Sequence, residues 1–315
     1  MIGDVVLAID TSNYTTSVAI MSTGFELVAN LKCPLKVKEG ERGLRQSDAV
    51  FSHTVNLPEL MKRAGELLAD RHVVCVGVSE RPRSVDGSYM PCFLAGVSVA
   101  VALSEALRVP LYHFSHQDGH IMAALYSSDA MDLSNNEFAA FHVSGGTTEL
   151  VRVSTSEDAF RTELVGGTLD LNAGQLIDRI GVRMGLAFPA GAELEKLALA
   201  NTEKIPRRKI SVNGMSVNLS GIENIALDMY DKTNNRNLVA AFVLDTVGRC
   251  LQSMRDAYTE RYGECDFVYA GGVMCNSIIK GMLSSDRAHF AKPEMSADNA
   301  VGIAALALKK HISEK

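Results

Sequence analysis

Residues 4–10, Asp-Val-Val-Leu-Ala-Ile-Asp, make a short apolar run that ends in an acid, and a second, β-branched run extends from Thr15 to Ile20. The polar, turn-prone Thr11-Ser-Asn-Tyr14 between them predicts a β-hairpin with hydroxyls at its tip. The pattern returns at 138–153, where Phe-Ala-Ala-Phe-His-Val and Glu-Leu-Val-Arg-Val flank Ser144-Gly-Gly-Thr-Thr148. Two strand-turn-strand segments about 130 residues apart indicate one architectural unit used twice. Between them, His53 to Ala69 carries apolar residues at helical spacing, Val73 to Val78 reads as a strand, and Leu111 to Phe114 as a short strand leading to His116. Gly96 to Leu107 is a helix almost without polar residues, which predicts packing on both of its sides. The succession implies a mixed sheet covered by helices.

The second half repeats the logic. Helices are predicted over 170–184 and 192–201, separated by the Gly185–Gly191 turn, with strand-like stretches around Gly214 and a long helix over 235–262. A buried strand at 267–270 and helices over 274–283 and 297–309 close the chain. With 315 residues, 47% hydrophobic and 22% charged, two lobes of about 150 residues each are expected rather than one core. We place them at 1–128 and 129–315, with the final helix free to pack back on the first lobe.

Charge and cysteine usage narrow the class. A net charge of −6 leaves no global basic field for a long nucleic-acid backbone. Arg207-Arg-Lys209 is either a solvated loop or a local basic patch. Six cysteines, at 33, 75, 92, 250, 265 and 275, have no close CxxC pairing, so neither a zinc knuckle nor a disulfide framework is indicated. Met1-Ile-Gly-Asp-Val-Val-Leu7 has no basic n-region, and the apolar runs fall short of the roughly 20 residues that cross a bilayer. A cytoplasmic protein without a membrane span is expected.

The candidate chemistry lies in a few polar positions. His116 and His120 stand four apart, so on a helix both imidazoles share one face and can share one ion, although spacing alone equally fits two satisfied histidines. Asp118 is either a helix cap or a ligand. The Ser144-Gly-Gly-Thr-Thr148 turn is either an anion nest or an ordinary hairpin turn. Gly271-Gly-Val-Met-Cys-Asn276 ends a strand and opens a helix, where free N–H groups can receive a phosphate or a nucleoside, or where the chain simply turns. Asn276, one turn into that helix, reaches a ribose or base, or only the preceding loop. Asp178 either accepts ribose hydroxyls or is solvated. Asp298 either favours the start of the last helix through its dipole or completes a two-histidine, one-carboxylate set.

The order of these elements is more specific than any one of them. A hydroxyl-bearing hairpin near residue 10, H-x-x-x-H, a second Gly-rich hairpin, a G-x-x-x-D helix, a Pro-x-Gly turn, Gly-Gly-Val-x-x-Asn and a late Asp-Asn resemble the TsaD family over nearly the whole chain. Asn218-Leu-Ser-Gly-Ile-Glu223 looks like that family's F-S-F-S-G-L-K element. The resemblance implies a duplicated α/β, actin-like, ribonuclease H-like (ASKHA) fold. It implies one divalent metal, Fe or Zn, on His116, His120 and Asp298, and an adenine nucleotide or threonylcarbamoyl-AMP on Val143, Ser144, Gly145, Gly146, Thr147, Asp178, Gly191 and Asn276. The implied reaction is metal-dependent transfer of threonylcarbamoyl to N6 of tRNA adenosine 37, with tRNA and TsaB-like or TsaE-like proteins as partners and no catalytic residue beyond the metal site. Peptidase chemistry has no support in the sequence, because H-x-x-x-H lacks the glutamate that serves as general base in H-E-x-x-H.

Departures surround this pocket. Tyr14 and Thr15 stand where the family's hairpin E-T-S-C-D-E-T-S has an acidic pair, and Arg81-Pro-Arg83 replaces G-P-G. Thr147 replaces the histidine of S-G-G-H-T, Asp170-Leu-Asn-Ala-Gly-Gln175 replaces D-D-A-A-G-E, and Pro189-Ala-Gly191 replaces Pro-Gly-Gly. The pattern suggests a divergent paralogue. The alternatives are therefore a catalytically altered nucleotide-binding scaffold or regulator, or a small-molecule carbamoyltransferase or kinase of the same superfamily.

Overall fold

The computed structural model describes residues 3–12, 14–36, 44–85, 87–155, 159–210, 212–296 and 299–315. The chain separates into two compact units, one formed by Met1–Ser134, Thr155–Arg161 and Ala297–Lys315, the other by Asn135–Ser154 and Thr162–Ser296.

In the first unit, β1 (Gly3–Ser12) and β2 (Thr15–Ser22) pair antiparallel and close at Ser12 opposite Thr15, as the alternation at the amino terminus requires. β3 (Leu27–Pro34) adds to β2. Then follow α1 (Gln46–Leu68), β4 (Arg71–Arg81) parallel to β1, α2 (Phe93–Leu107), β5 (Leu111–Ser115) parallel to β4, and α3 (His116–Ser127). The strand order is β3-β2-β1-β4-β5. Period-two alternation sends Val5, Leu7 and Ile9 into a core with Leu57, Leu60 and Ala64 of α1 and Ala100 of α2. The opposite face meets the C-terminal helix Val301–Ser313: a Cβ on Gly77 would lie 2.8 Å from that of Ala307. Asp10 shares the parity of Val6 and Ala8 and therefore belongs to this second face.

One expectation fails here. Leu94, Val101 and Leu107 of α2 are 51%, 42% and 48% exposed, so α2 packs on one side only within the described residues. Its apolar composition reports sequence content, not burial. α1 begins seven residues before the predicted start, because exposed Phe51 and Val55 blur its amphipathic pattern.

In the second unit, β6 (Phe138–Val143), β7 (Thr148–Thr155) and β8 (Phe160–Gly167) precede α4 (Ala173–Arg183) and α5 (Gly191–Leu199). A small hairpin of β9 (Val212–Asn213) and β10 (Ser216–Val217) turns at Gly214, whose φ of +60° suits glycine. α6 (Ser220–Thr233), α7 (Arg236–Tyr262), β11 (Phe267–Ala270), α8 (Ser277–Leu283), β12 (Ala288–Phe290) and α9 (Pro293–Ser296) complete it. The strand order is β12-β11-β6-β7-β8, with β11 parallel to β6 and β12. In both sheets an antiparallel pair leads outward from the first strand while two parallel strands extend the other side. The duplicated hairpin is thus the visible part of a duplicated sheet. Stacked rings of Phe141, Tyr269 and Phe290 cross three strands at centroid spacings of 5.3 and 4.6 Å. No helix among the described residues is long and apolar enough to cross a membrane.

Candidate functional site

The first cluster is built on the start of α3. Ser115 is its N-cap: its hydroxyl accepts from the Asp118 N–H at 3.0 Å, and the Asp118 carboxylate accepts from the Ser115 N–H at 3.2 Å. This capping box fixes where the helix begins and hence which face His116 and His120 occupy. Asp118 is thus the third-position partner of that cap. Burial pushes its carboxyl above the usual range, opposed by hydrogen bonds from Ser84 and Ser115 and by the charge of Arg81. The Arg81-Pro-Arg83 segment is held against the same turn, since the Gln117 N–H donates to the Pro82 carbonyl at 3.0 Å.

The two imidazoles meet edge to face, and their Nε2 atoms stand 2.9 Å apart. The other ring nitrogen of His116, Nδ1, faces Asp10 at 3.3 Å from Oδ1 and 3.2 Å from Oδ2. Asp10 is fully buried and also accepts from the Ser79 hydroxyl. A carboxylate behind a histidine fixes its tautomer with the proton on Nδ1, so Nε2 presents its lone pair. One ion at the usual zinc–nitrogen distance of about 2.0–2.1 Å reaches both Nε2 atoms at this separation. The donor set therefore fits a borderline divalent cation. Among the described residues no group of three or more His, Cys, Asp or Glu side chains is arranged to hold a metal. Asp298, the third expected ligand, lies outside the described residues.

Sequence reasoning did not assign Asp10 and Ser79. The signal for Asp10 was an acid ending a buried apolar strand, a costly placement unless something pairs with it. Nearby, Thr11 donates to the Cys92 carbonyl at 3.1 Å and accepts from Gly96 N–H at 3.1 Å, a contact that leaves Gly96 no room for a side chain. Ser12 is buried, and its hydroxyl has no partner among the described residues.

The nucleotide candidates all lie in the second unit. The Ser144 N–H donates to the Thr147 carbonyl at 2.8 Å, closing the glycine turn, and Gly145 and Gly146 have open space where a Cβ would stand. Gly174 packs directly beneath, with a Cβ position 2.6 Å from Gly145 N and Ser144 O. Asn172 donates to the Gly146 carbonyl at 3.0 Å. Val143 is buried in the core, so only its backbone is available to a ligand. Gly146, Thr147, Thr148, Thr168, Asp170 and Asn172 help line a cavity of about 510 Å³. Of the other candidates, Asp178 accepts from the Ala190 N–H at 2.8 Å, immediately before Gly191. Burial of Asp178 raises its carboxyl above the usual range, against that bond.

Asn276 corrects an expectation. The predicted helix over 274–283 is a 3-10 turn, Gly272–Cys275, followed by α8, and Asn276 caps α8 instead of standing one turn inside it. Its carboxamide oxygen accepts from the N–H groups of Ile278 and Ile279, both at 3.1 Å. Gly271, at φ +98°, is forced by contact with Val143: a Cβ would lie 2.3 Å from that carbonyl oxygen.

The family departures have structural consequences. Leu171 is buried in the core, so the lost carboxylate is replaced by packing. Asp170 binds the start of α6, accepting from the Leu219 and Ser220 N–H groups at 2.8 and 3.2 Å. Tyr14 is 44% exposed at the hairpin tip.

Comparison with known proteins gives a consistent relation. The family model described as "TsaD: tRNA N6-adenosine threonylcarbamoyltransferase" matches residues 41–305. A protein of that name from Christiangramia forsetii is 26% identical over 98% of this chain and 94% of its own length. One from Streptococcus gordonii is 28% identical over 89% and 83%. Among solved structures, T. kodakarensis HypF aligns over 99% of this chain with a TM-score of 0.64 at 12% identity, and this chain spans 48% of it. The Acidaminococcus fermentans (R)-2-hydroxyglutaryl-CoA dehydratase component A aligns over 98% of this chain and 99% of its own length, with a TM-score of 0.56 at 15% identity. These structural likenesses establish the two mixed α/β units as the duplicated actin-like fold and nothing more. With its family model matched across most of its length, the chain belongs to the TsaD family.

Proposed function

We propose that this chain is a catalytically altered TsaD paralogue that retains a divalent metal and an adenine nucleotide and serves as a nucleotide-binding scaffold or regulator. The observation that carries this reading is the intact His116–His120 pair, backed by buried Asp10, in a chain whose hairpin-tip acids are Tyr14 and Thr15 and whose glycine turn carries Thr147. His116 and His120 would hold the metal, Fe or Zn, with Asp298 as the third ligand implied by the family. When bound, the metal supplies Lewis-acid polarisation of an oxygen ligand. Asp10 keeps the proton on Nδ1 of His116. The turn from Val143 to Thr147 would receive phosphate oxygens through its N–H groups, and Asp178 and Gly191 the remainder of the nucleotide. Asn276 would act by shaping the start of α8, since its oxygen is already engaged.

The second reading is threonylcarbamoyl transfer from threonylcarbamoyl-AMP to N6 of tRNA adenosine 37, in the cytoplasm and with TsaB-like or TsaE-like partners. The name shared by the relatives from Christiangramia forsetii and Streptococcus gordonii favours it. The two separate in one reconstitution: purified protein, threonylcarbamoyl-AMP and unmodified tRNA, with and without candidate partners, beside calorimetry with AMP and metal analysis. Bound AMP and metal without modified tRNA is the expected result. Modified tRNA overturns the first reading in favour of the second. In the same preparation, His116→Ala with His120→Ala is expected to lose stoichiometric metal, and retained metal rejects the clamp.

A further inference from the structure

We infer that the loop from Lys204 to Lys209 is a docking element for the phosphate backbone of RNA. Within these six residues stand Lys204, Arg207, Arg208 and Lys209, in a chain with 37 acidic and 31 basic residues. All four side chains are exposed, and none has an ion pair or side-chain hydrogen bond among the described residues. Elsewhere in the same unit, exposed cations such as Arg183 and Lys232 are paired with acids. Neighbouring like charges at this density repel one another, and a bound polyanion offsets that repulsion.

The loop is held, which separates it from a loose charged tail. At its start, Asn201 donates to the Glu203 carbonyl at 2.8 Å, and the Glu203 carboxylate accepts from Asn235 at 2.7 Å. Ile205 and Ile210 turn inward and pack against the core. Between them the Arg208 carbonyl accepts from Arg249 of α7 at 2.7 Å. The backbone is thus fixed at both ends and in the middle while the cationic side chains point into solvent. Fixing the backbone beforehand lowers the ordering cost of binding, and the forked guanidinium groups of Arg207 and Arg208 match phosphate oxygens. A membrane surface fits less well: the apolar residues of the loop, Ile205 and Ile210, are directed at the core and leave nothing to insert.

The choice of tRNA as the probe rests on the family reading above; the cationic loop itself is independent of whether the pocket is active. The test is fluorescence anisotropy of labelled, unmodified tRNA with the full chain between 50 and 200 mM salt. For contacts behaving like those to duplex phosphates, Arg207→Gln with Arg208→Gln and Lys209→Gln is expected to make the log Kd against log salt slope shallower by about 2.7. Wild type then loses about 40-fold more affinity than the variant across that range. A control, Lys62→Gln with Arg63→Gln and Arg108→Gln, removes the same charge from exposed sites in the other unit and is expected to leave the slope nearly unchanged. Absence of tRNA binding by wild type, equal slopes in the two triple variants, or binding to phosphatidylserine vesicles without tRNA binding overturns the inference. AMP and metal binding, measured in parallel, report on the proposed function, so the failure of either is distinguishable from the failure of the other.

Discussion

Gly302→Ala tests the contact that seats the histidine helix. The added methyl would lie 1.8 Å from the Gly119 carbonyl oxygen and 2.7 Å from the Ala123 amide nitrogen. Carbon–oxygen contacts of this kind settle near 3.3 Å, so α3 and the C-terminal helix must part by about 1.5 Å. Both obstacles are backbone atoms, and no rotamer change relieves them. Overpacking of a tight interior costs about 1–3 kcal/mol, and rigid neighbours place this substitution near the upper figure. For units of this size, about 3 kcal/mol lowers the melting temperature by roughly 6–12 °C. Gly65→Ala, inside α1 with open space at its Cβ position, is the matched control and is expected to stabilise by about 0.4–1 kcal/mol. Differential scanning fluorimetry compares the two. Nitrogen-15 NMR of the imidazoles adds a second readout: both rings ride on α3 and stay together, whereas the His116–Asp10 contact links α3 to β1 and opens. Melting of Gly302→Ala within about 2 °C of wild type would refute the close packing.

Asp10→Asn keeps the shape behind His116 but removes its negative charge, and is expected to weaken metal affinity by about 10–100-fold in a chelator competition; equal affinities would show that Asp10 does not orient the ligand. Asp170 titrates in the opposite sense to Asp178. Its burial opposes the charged form, yet hydrogen bonds from Ser220, Leu219 and Leu171 hold the carboxyl below its ordinary value of 3.8. Its stabilising contribution is therefore complete above that value and lost as pH falls through the lower folded one. The stability difference between wild type and Asp170→Asn, from urea unfolding, is expected to be flat from pH 7 to 5 and to shrink towards pH 3; a difference growing on acidification contradicts the assignment.

Local pattern carried much of the fold. The hairpins at residues 4–20 and 138–153 follow from alternation, and the shared face of His116 and His120 follows from spacing plus the Ser115 cap. What stayed hidden depends on partners distant in sequence. Asp10 and His116 are 106 positions apart, and only the pairing of β1, β4 and β5 brings them together. The apolar sequence of α2 gave no sign of its exposed face, since composition does not say how many layers cover a helix. The capping role of Asn276 stayed hidden because it depends on where α8 starts, a one-turn difference that the Gly-Gly sequence leaves open.

The first unit is interrupted in the chain: its main segment ends at Ser134, and its last helix arrives only with Ala297–Lys315. During translation at about 5–20 residues per second, α3 would emerge roughly 9–37 s before the helix that covers it. The second unit, synthesised in between, can fold first, while the histidine-bearing half-unit waits with Gly119 and Ala123 uncovered. Enclosure of the His116–His120 pair is thereby tied to synthesis of the helix Val301–Ser313, so the ribosome's pace sets when that pair is first covered.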